Sequence, residues 1–201
     1  FDSYPRTLES DVEALADGGV DIVYAPNPKD VYPHAPRVHV TPGPAASVLE
    51  GYLRPGHFPG VLQVVGKMMN LIRPDRAIFG QKDAQQFVNI SQMVEDLDIP
   101  LELLEAPIVR DEEGLALSSR NQYLNSDQKR EALALNHSLK AGLAMAEHGA
   151  APEQIVTAAA EILTSAPGVA PQYVALADTE SFAVAALWTP DAEMMGVENL
   201  T

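Results

Sequence analysis

The sequence predicts an α/β protein: a parallel sheet with helices on its faces, followed by a smaller α+β unit. Two observations carry this. Up to about residue 104 the apolar pattern alternates helix, strand, helix, strand, helix, strand, and parallel sheets are built that way. After Arg110 the pattern changes to long Ala- and Leu-rich helical stretches and short apolar runs. With 201 residues, 46% hydrophobic and 20% charged, the chain suits one sizeable domain or two small ones. The division is expected as residues 1–108 and 109–201.

The elements follow in order. Pro5 to Asp17 reads as a helix with Leu8, Val12 and Leu15 on one face, stopped by Gly18-Gly19. Val20 to Ala25 is a short apolar run between breakers, expected as a buried strand. Pro26 to Pro44 holds six prolines and reads as loop, with a short strand at Arg37 to Thr41. Pro59 to Leu71 is a helix with a wide apolar face: Val61, Leu62, Val65, Met68, Met69 and Ile72. Ala77 to Phe79 is a strand ended by Gly80. Gln85 to Leu97 is a helix with Phe87, Ile90, Met93, Val94 and Leu97 inward. Leu101 to Leu104 is the next strand. Ser126 to Glu147 reads as one long helix and Pro152 to Leu163 as a second. Val169 to Leu176 is a strand, and Ser181 to Leu187 fits strand or helix.

Charge narrows the function. The formal net charge is −15, which opposes the basic footprint of a nucleic-acid binder. It does not oppose nucleotides, because a local cluster of donors can hold phosphate. Seven of the thirteen basic residues lie between Arg54 and Arg120, and none lies after Lys140. An anion site is expected in that stretch. There is no cysteine, so disulfides and thiolate chemistry are excluded. No apolar run suits a membrane span, and a cytoplasmic protein is expected.

Two short segments suit phosphate chemistry. In Gly80-Gln81-Lys82-Asp83 a glycine ends a strand, the next helix offers free N–H groups, and Lys82 adds a mobile point charge. Asp83 suits a helix cap or a ribose hydroxyl. The alternative is a capped turn with exposed charges. In Leu117-Ser118-Ser119-Arg120 two hydroxyls and a guanidinium form a short donor arc suited to polyphosphate. The alternative there is a polar turn with a surface arginine. Arg54-Pro55-Gly56-His57 is a loop entering a helix, and its histidine could donate to an anionic substrate, although a lone loop histidine is more often a surface residue. Asp111-Glu112-Glu113-Gly114 reads as an acidic turn. His34 and His39 sit in the proline-rich loop and lack metal-ligand spacing, and His137 and His148, on or near helices, read as structural or solvent-facing. No Walker-type loop, Gly-x-Gly-x-x-Gly or Gly-x-Ser-x-Gly occurs.

The order of these segments resembles the pantothenate synthetase family. Tyr4-Pro5-Arg6-Thr7-Leu8, Gly19 through Pro26, Arg73 through Gln86, and Gly114 through Leu124 carry the resemblance, which weakens toward Leu176. It implies a Rossmann-like, nucleotidylyltransferase-type fold. It also implies an ATP-dependent ligase that joins pantoate to beta-alanine through a pantoyl adenylate, releasing AMP and pyrophosphate. Position by position, it implies that Gly80, Gln81, Lys82 and Asp83 contact ATP and that the Val109 backbone meets adenine. Leu117, Ser118, Ser119 and Arg120 would cover the phosphates. Gln86 would bind pantoate, with His57 and Arg54 near the substrate entrance. Lys82, Ser118, Ser119 and Arg120 are the expected catalytic groups. ATP enters as substrate with Mg2+, whose protein ligands the resemblance does not locate, and the implied assembly is a homodimer.

The family's His-x-Gly-His motif and an early pantoate-binding glutamine do not occur in this chain. The sheet is therefore expected to be incomplete at its N-terminus, and the chain to be a fragment or one piece of a cut protein. A truncated or degenerate nucleotide-binding module, inactive alone, is the alternative. After Asp178 the family pattern of a basic strand pair is replaced by Trp188-Thr189-Pro190-Asp191-Ala192-Glu193, a stretch with no expected placement.

Overall fold

The computed structural model describes residues 7–190. Their contacts form two compact units, residues 1–39 and 40–201.

In the first unit, α1 (Leu8–Asp17) forms as its pattern dictates. Gly19 at φ 79° turns the chain out of it. Its apolar positions Leu8, Val12 and Leu15 are all exposed. Val20 to Ala25 is not a strand, and Ile22 is 83% exposed. This corrects the expected buried strand. A strand exists only through a hydrogen-bonded neighbour, and no partner pairs with this run among the described residues. The one-turn helix α2 (Pro28–Val31) follows, with Asn27 and Asp30 bonded to each other at 3.0 Å.

The second unit opens on loop. The strand expected at Arg37 to Thr41 is absent; instead the Val40 N–H donates to Gln63 Oε1 at 3.3 Å. Single turns follow at Pro44–Ala46 and in α3 (Glu50–Leu53). Helix α4 (His57–Ile72) ends at Arg73, which takes the left-handed conformation before Pro74. Strand β1 (Arg76–Gly80), a 3-10 turn at Gln81–Asp83, helix α5 (Ala84–Asp96) and strand β2 (Glu102–Ala106) then form a βαβ unit. The two strands pair in parallel, Arg76 opposite Glu102 and Gly80 opposite Ala106.

The core of this unit is Leu62 and Met69 of α4 against Ile90 and Met93 of α5. Ala77, Phe79 and Leu103 pack on it from the strands. Alternate residues of β1 point the other way, and Ile78 is 67% exposed. Helices therefore cover one face of this sheet among the described residues, where coverage of both was expected. Leu97, expected inward, is exposed because the helix has already ended there.

Residues 109–117 make a small hairpin, with Arg110 bridging Ala116. The acidic turn reads as expected. Asp111 Oδ1 accepts the N–H groups of Glu113, Gly114 and Leu115 at 3.1, 2.9 and 2.8 Å. The long helix expected from Ser126 is two helices, α6 (Ser126–Ala132) and α7 (Ala134–Glu147), parted at Leu133. Periodicity continues through such a joint, so the pattern alone does not reveal it.

Helix α8 (Pro152–Ser165) packs on α7, where Ser138 Oγ donates to Ala159 O at 2.8 Å. It also packs on an antiparallel pair, β3 (Val174–Ala177) and β4 (Val184–Trp188). The run left open between strand and helix is thus a strand. The unplaced Trp188 ends it, while Asp191, Ala192 and Glu193 lie outside the described residues.

Candidate functional site

Ligands on parallel sheets bind beyond the carboxyl ends of the strands. In this chain β1 ends at Gly80, and the backbone turns through Gln81–Asp83 straight into α5. The sequence dictates this locally: a glycine at the strand end, polar residues in the turn, then a run with helical periodicity. Asp83 stands at the N-cap position of α5, yet its side chain makes no capping bond. The carboxylate, like Lys82 beside it, is exposed.

A cleft of about 520 Å³ lies here. Arg54, His57, Lys82, Asp83, Gln86 and Arg120 all line it. These six come from the loop before α4, the start of α4, the turn after β1, the first turn of α5 and the segment after the 109–117 hairpin. The structure thus brings together residues up to 66 positions apart in sequence (54 to 120) that the sequence marked separately.

The hydroxyl segment is divided. Ser118 caps a 3-10 turn at Ser119–Tyr123, its Oγ accepting the Arg120 N–H at 3.3 Å. Leu117, Ser118 and Ser119 line a second depression with Asp111, Leu115, Asn121 and Lys129. Arg120 alone of this segment lines the first cleft. Gly80 and Gln81 sit exposed at the strand end, and Val109 is exposed; these three line neither cavity.

Several lining residues carried no sequence signal. Leu49 and Glu50 come from the start of α3, after the proline-rich stretch. Ala175 and Ala177 lie on β3, with Tyr173 just before it and Phe182 in the connection to β4. Only tertiary packing delivers a strand near residue 175 to a turn near residue 83. Leu49 and Phe182 also hold positive φ, 49° and 59°. Non-glycine residues adopt that region at a cost and cluster at functional sites.

The electrostatics of the cleft are mixed. Arg54 Nη1 pairs with Glu50 Oε1 at 2.7 Å. Burial and then the Arg54 charge hold the His57 imidazolium below its ordinary range, partly offset by Glu50 and Asp83. Burial, and secondarily Glu50, push the Tyr173 phenol up. Lys82 joins no ion pair among the described residues, unlike Arg54, Arg76 and Arg130. Also among the described residues, no group of three or more His, Asp or Glu is placed to hold a metal ion.

The fold and the cleft can be compared with known proteins. The crystal structure of pantothenate synthetase from Thermus thermophilus superposes with a TM-score of 0.87 at 38% identity, over 93% of this chain and 68% of that one. The architecture is accordingly that of the nucleotidylyltransferase-type α/β proteins, with a small antiparallel unit after the parallel strands. A family model described as pantoate-beta-alanine ligase matches residues 1–197. The chain belongs to the pantoate-beta-alanine ligase family.

Among curated proteins, the pantothenate synthetase of Saccharopolyspora erythraea is 48% identical over 90% of this chain and 59% of its own length. That of Nocardioides is 49% identical over 90% of this chain and 54% of its own. The chain thus spans somewhat over half the length of these relatives. A more distant structure, the Francisella tularensis pantoate-beta-alanine ligase complexed with beta-gamma ATP and beta-alanine, aligns at a TM-score of 0.65 and 32% identity over 80% of this chain.

Proposed function

We propose that this chain carries most of the ATP- and pantoate-facing surface of a ligase that condenses pantoate with beta-alanine. The observation that carries the reading is the single cleft into which Arg54, His57, Lys82, Asp83, Gln86 and Arg120 converge. Family membership supports the same chemistry. The ATP in the Francisella relative supports a nucleotide in this cleft.

The reaction runs in two steps. A pantoate carboxylate oxygen attacks the α-phosphorus of ATP, and the bond to pyrophosphate breaks. The beta-alanine amine then attacks the acyl carbon of the pantoyl adenylate, and AMP leaves as the amide forms. The first step needs no general base, because a carboxylate is already a nucleophile. Its barrier is lowered by positioning and by cations facing the charge that develops on the phosphoryl oxygens. Lys82 and Arg120 supply two such cations. Asp83, unused as a cap, accepts from ribose hydroxyls. Gln86 donates to pantoate, and Arg54 and His57 face its entry. Gly80, Gln81, the Val109 backbone, Leu117, Ser118 and Ser119 complete the nucleotide contacts when the segments close on ATP.

Magnesium enters as the counter-ion of ATP. Glu50 and Asp83 are the carboxylates lining the cleft. On this reading residues 1–108 are the nucleotide- and pantoate-binding part and 109–201 the smaller covering part. The working protein is a cytoplasmic homodimer.

Formation of pantothenate from ATP, pantoate and beta-alanine is the test, with this chain and with a version extended upstream to supply a His-x-Gly-His segment. Activity in the extended form supports the ligase. If only the extended form is active, the present chain by itself is the nucleotide-binding module of the alternative reading. Absence of product from both sinks the proposal.

A further inference from the structure

One wall of the cleft is a segment with no element longer than a turn, residues 44–54, yet it delivers Leu49, Glu50 and Arg54 to the lining. Its backbone is not in a relaxed state. Leu49 is buried at φ 49° and ψ −117°. Two residues on, Gly51 has no room for a side chain, since a Cβ there would lie 1.9 Å from Ala46 O. Strained backbone persists only where surrounding contacts over-determine it.

Gln85 supplies those contacts. Its side chain is buried, and its amide is used on both sides. Nε2 donates to Ala45 O at 2.8 Å and to Val48 O at 2.7 Å. Oε1 accepts the Glu50 N–H at 3.1 Å. The three backbone groups bracket Leu49, two before it and one after. No other side chain of similar size offers two donors and an acceptor in this arrangement. Methionine offers neither, and an ionised glutamate would set a carboxylate oxygen against two carbonyls. Gln85 is itself held in α5, where Asn89 Nδ2 donates to Gln85 O at 2.8 Å.

The clamped turn leads directly into the Glu50–Arg54 pair. Arg54 spends one donor nitrogen on Glu50. A guanidinium has five N–H donors, so the rest of the fork remains for a second carboxylate. We propose that Gln85 is a positioning residue: its amide clamps the turn around Leu49 and thereby aims the Glu50–Arg54 pair at the carboxylate substrate. The substrate half of this proposal rests on the ligase reading above, whereas the clamp does not.

Two variants test it, with circular dichroism to verify folding. Gln85→Met keeps length and apolar fit while removing all three bonds. Gln85→Glu keeps the acceptor for the Glu50 N–H. The first readout is amide hydrogen exchange. In Gln85→Met, Glu50 should exchange about tenfold faster or more, while amides in α7 and α8 stay at the wild-type rate. Gln85→Glu should fall between, and it carries the test if Gln85→Met does not fold. The second readout is pantoate binding by calorimetry. Its dissociation constant should rise about tenfold in Gln85→Met with ATP affinity within about twofold. The double variant Gln85→Met/Arg54→Ala should bind no worse than Arg54→Ala alone.

Wild-type exchange at Glu50 in Gln85→Met overturns the clamp. Additive losses in the double variant overturn its action through Arg54. If neither the wild-type chain nor its upstream-extended form binds pantoate, the substrate half falls together with the ligase reading, and the exchange result then decides the clamp by itself.

Discussion

Lys82 stands in the turn after β1, and Asp83 beside it makes no capping bond. A cation at that point has little to do for the fold and much to do for an anion in the cleft. Lys82→Ala should therefore slow pyrophosphate release about 100-fold, the scale seen when one transition-state donor is lost, with the melting temperature within about 2 °C. An unchanged rate would remove Lys82 from the site. His57 carries a different expectation. Burial and Arg54 favour its neutral form in the fold, against an ordinary value of 6.5. As pH falls below 6.5, the unfolded chain takes up a proton that the folded chain resists, so stability drops until the folded value is passed. Thermal unfolding followed from about pH 7.5 to pH 5 should show this drop, and His57→Gln should reduce it. A variant with the same pH slope would count against it. At this scale the charged residues were legible in sequence, because Gly80 to Asp83 and Ser118 to Arg120 concentrate phosphate-suited groups. Gln85 was not, since a glutamine next to Gln86 gives no hint that it is the buried one of two that line the cleft.

The elements differ in how firmly local sequence defines them. Helices α4 and α5 and strands β1 and β2 follow apolar periodicity, because their inward faces meet one another in a shared core. The turn at residues 44–51 follows no pattern. Its shape is set by a close approach of backbone to backbone at Gly51. Gly51→Ala should destabilise the chain by about 2–4 kcal/mol, through overpacking and the shift of Ala46 it forces. Chemical denaturation would measure this, and a loss under about 0.5 kcal/mol would show that the turn relaxes freely. The joint between α6 and α7 at Leu133 and the strand identity of Val184–Trp188 also escaped periodicity. A short apolar run fits either state until α8 covers it and β3 pairs with it.

At the scale of the whole chain, a net charge of −15 with no basic residue after Lys140 produces self-repulsion. Raising salt from about 10 to about 200 mM should lift the melting temperature by a few degrees through screening. A fall over that range would mean that the local pairs, Arg54–Glu50 among them, outweigh the repulsion. The sequence by itself determined the α/β order, the cationic stretch from Arg54 to Arg120, and the family resemblance that the comparisons bear out. These depend on residue type and spacing, which are local. Tertiary structure alone decided that, among the described residues, Val20 to Ala25 is unpaired and exposed and one face of β1 is bare. It also decided that Arg54, His57, Lys82, Asp83, Gln86 and Arg120 share one cleft walled by Tyr173 and Phe182. Strand pairing and cleft lining are relations between distant segments, and no local pattern encodes which segment will be the neighbour.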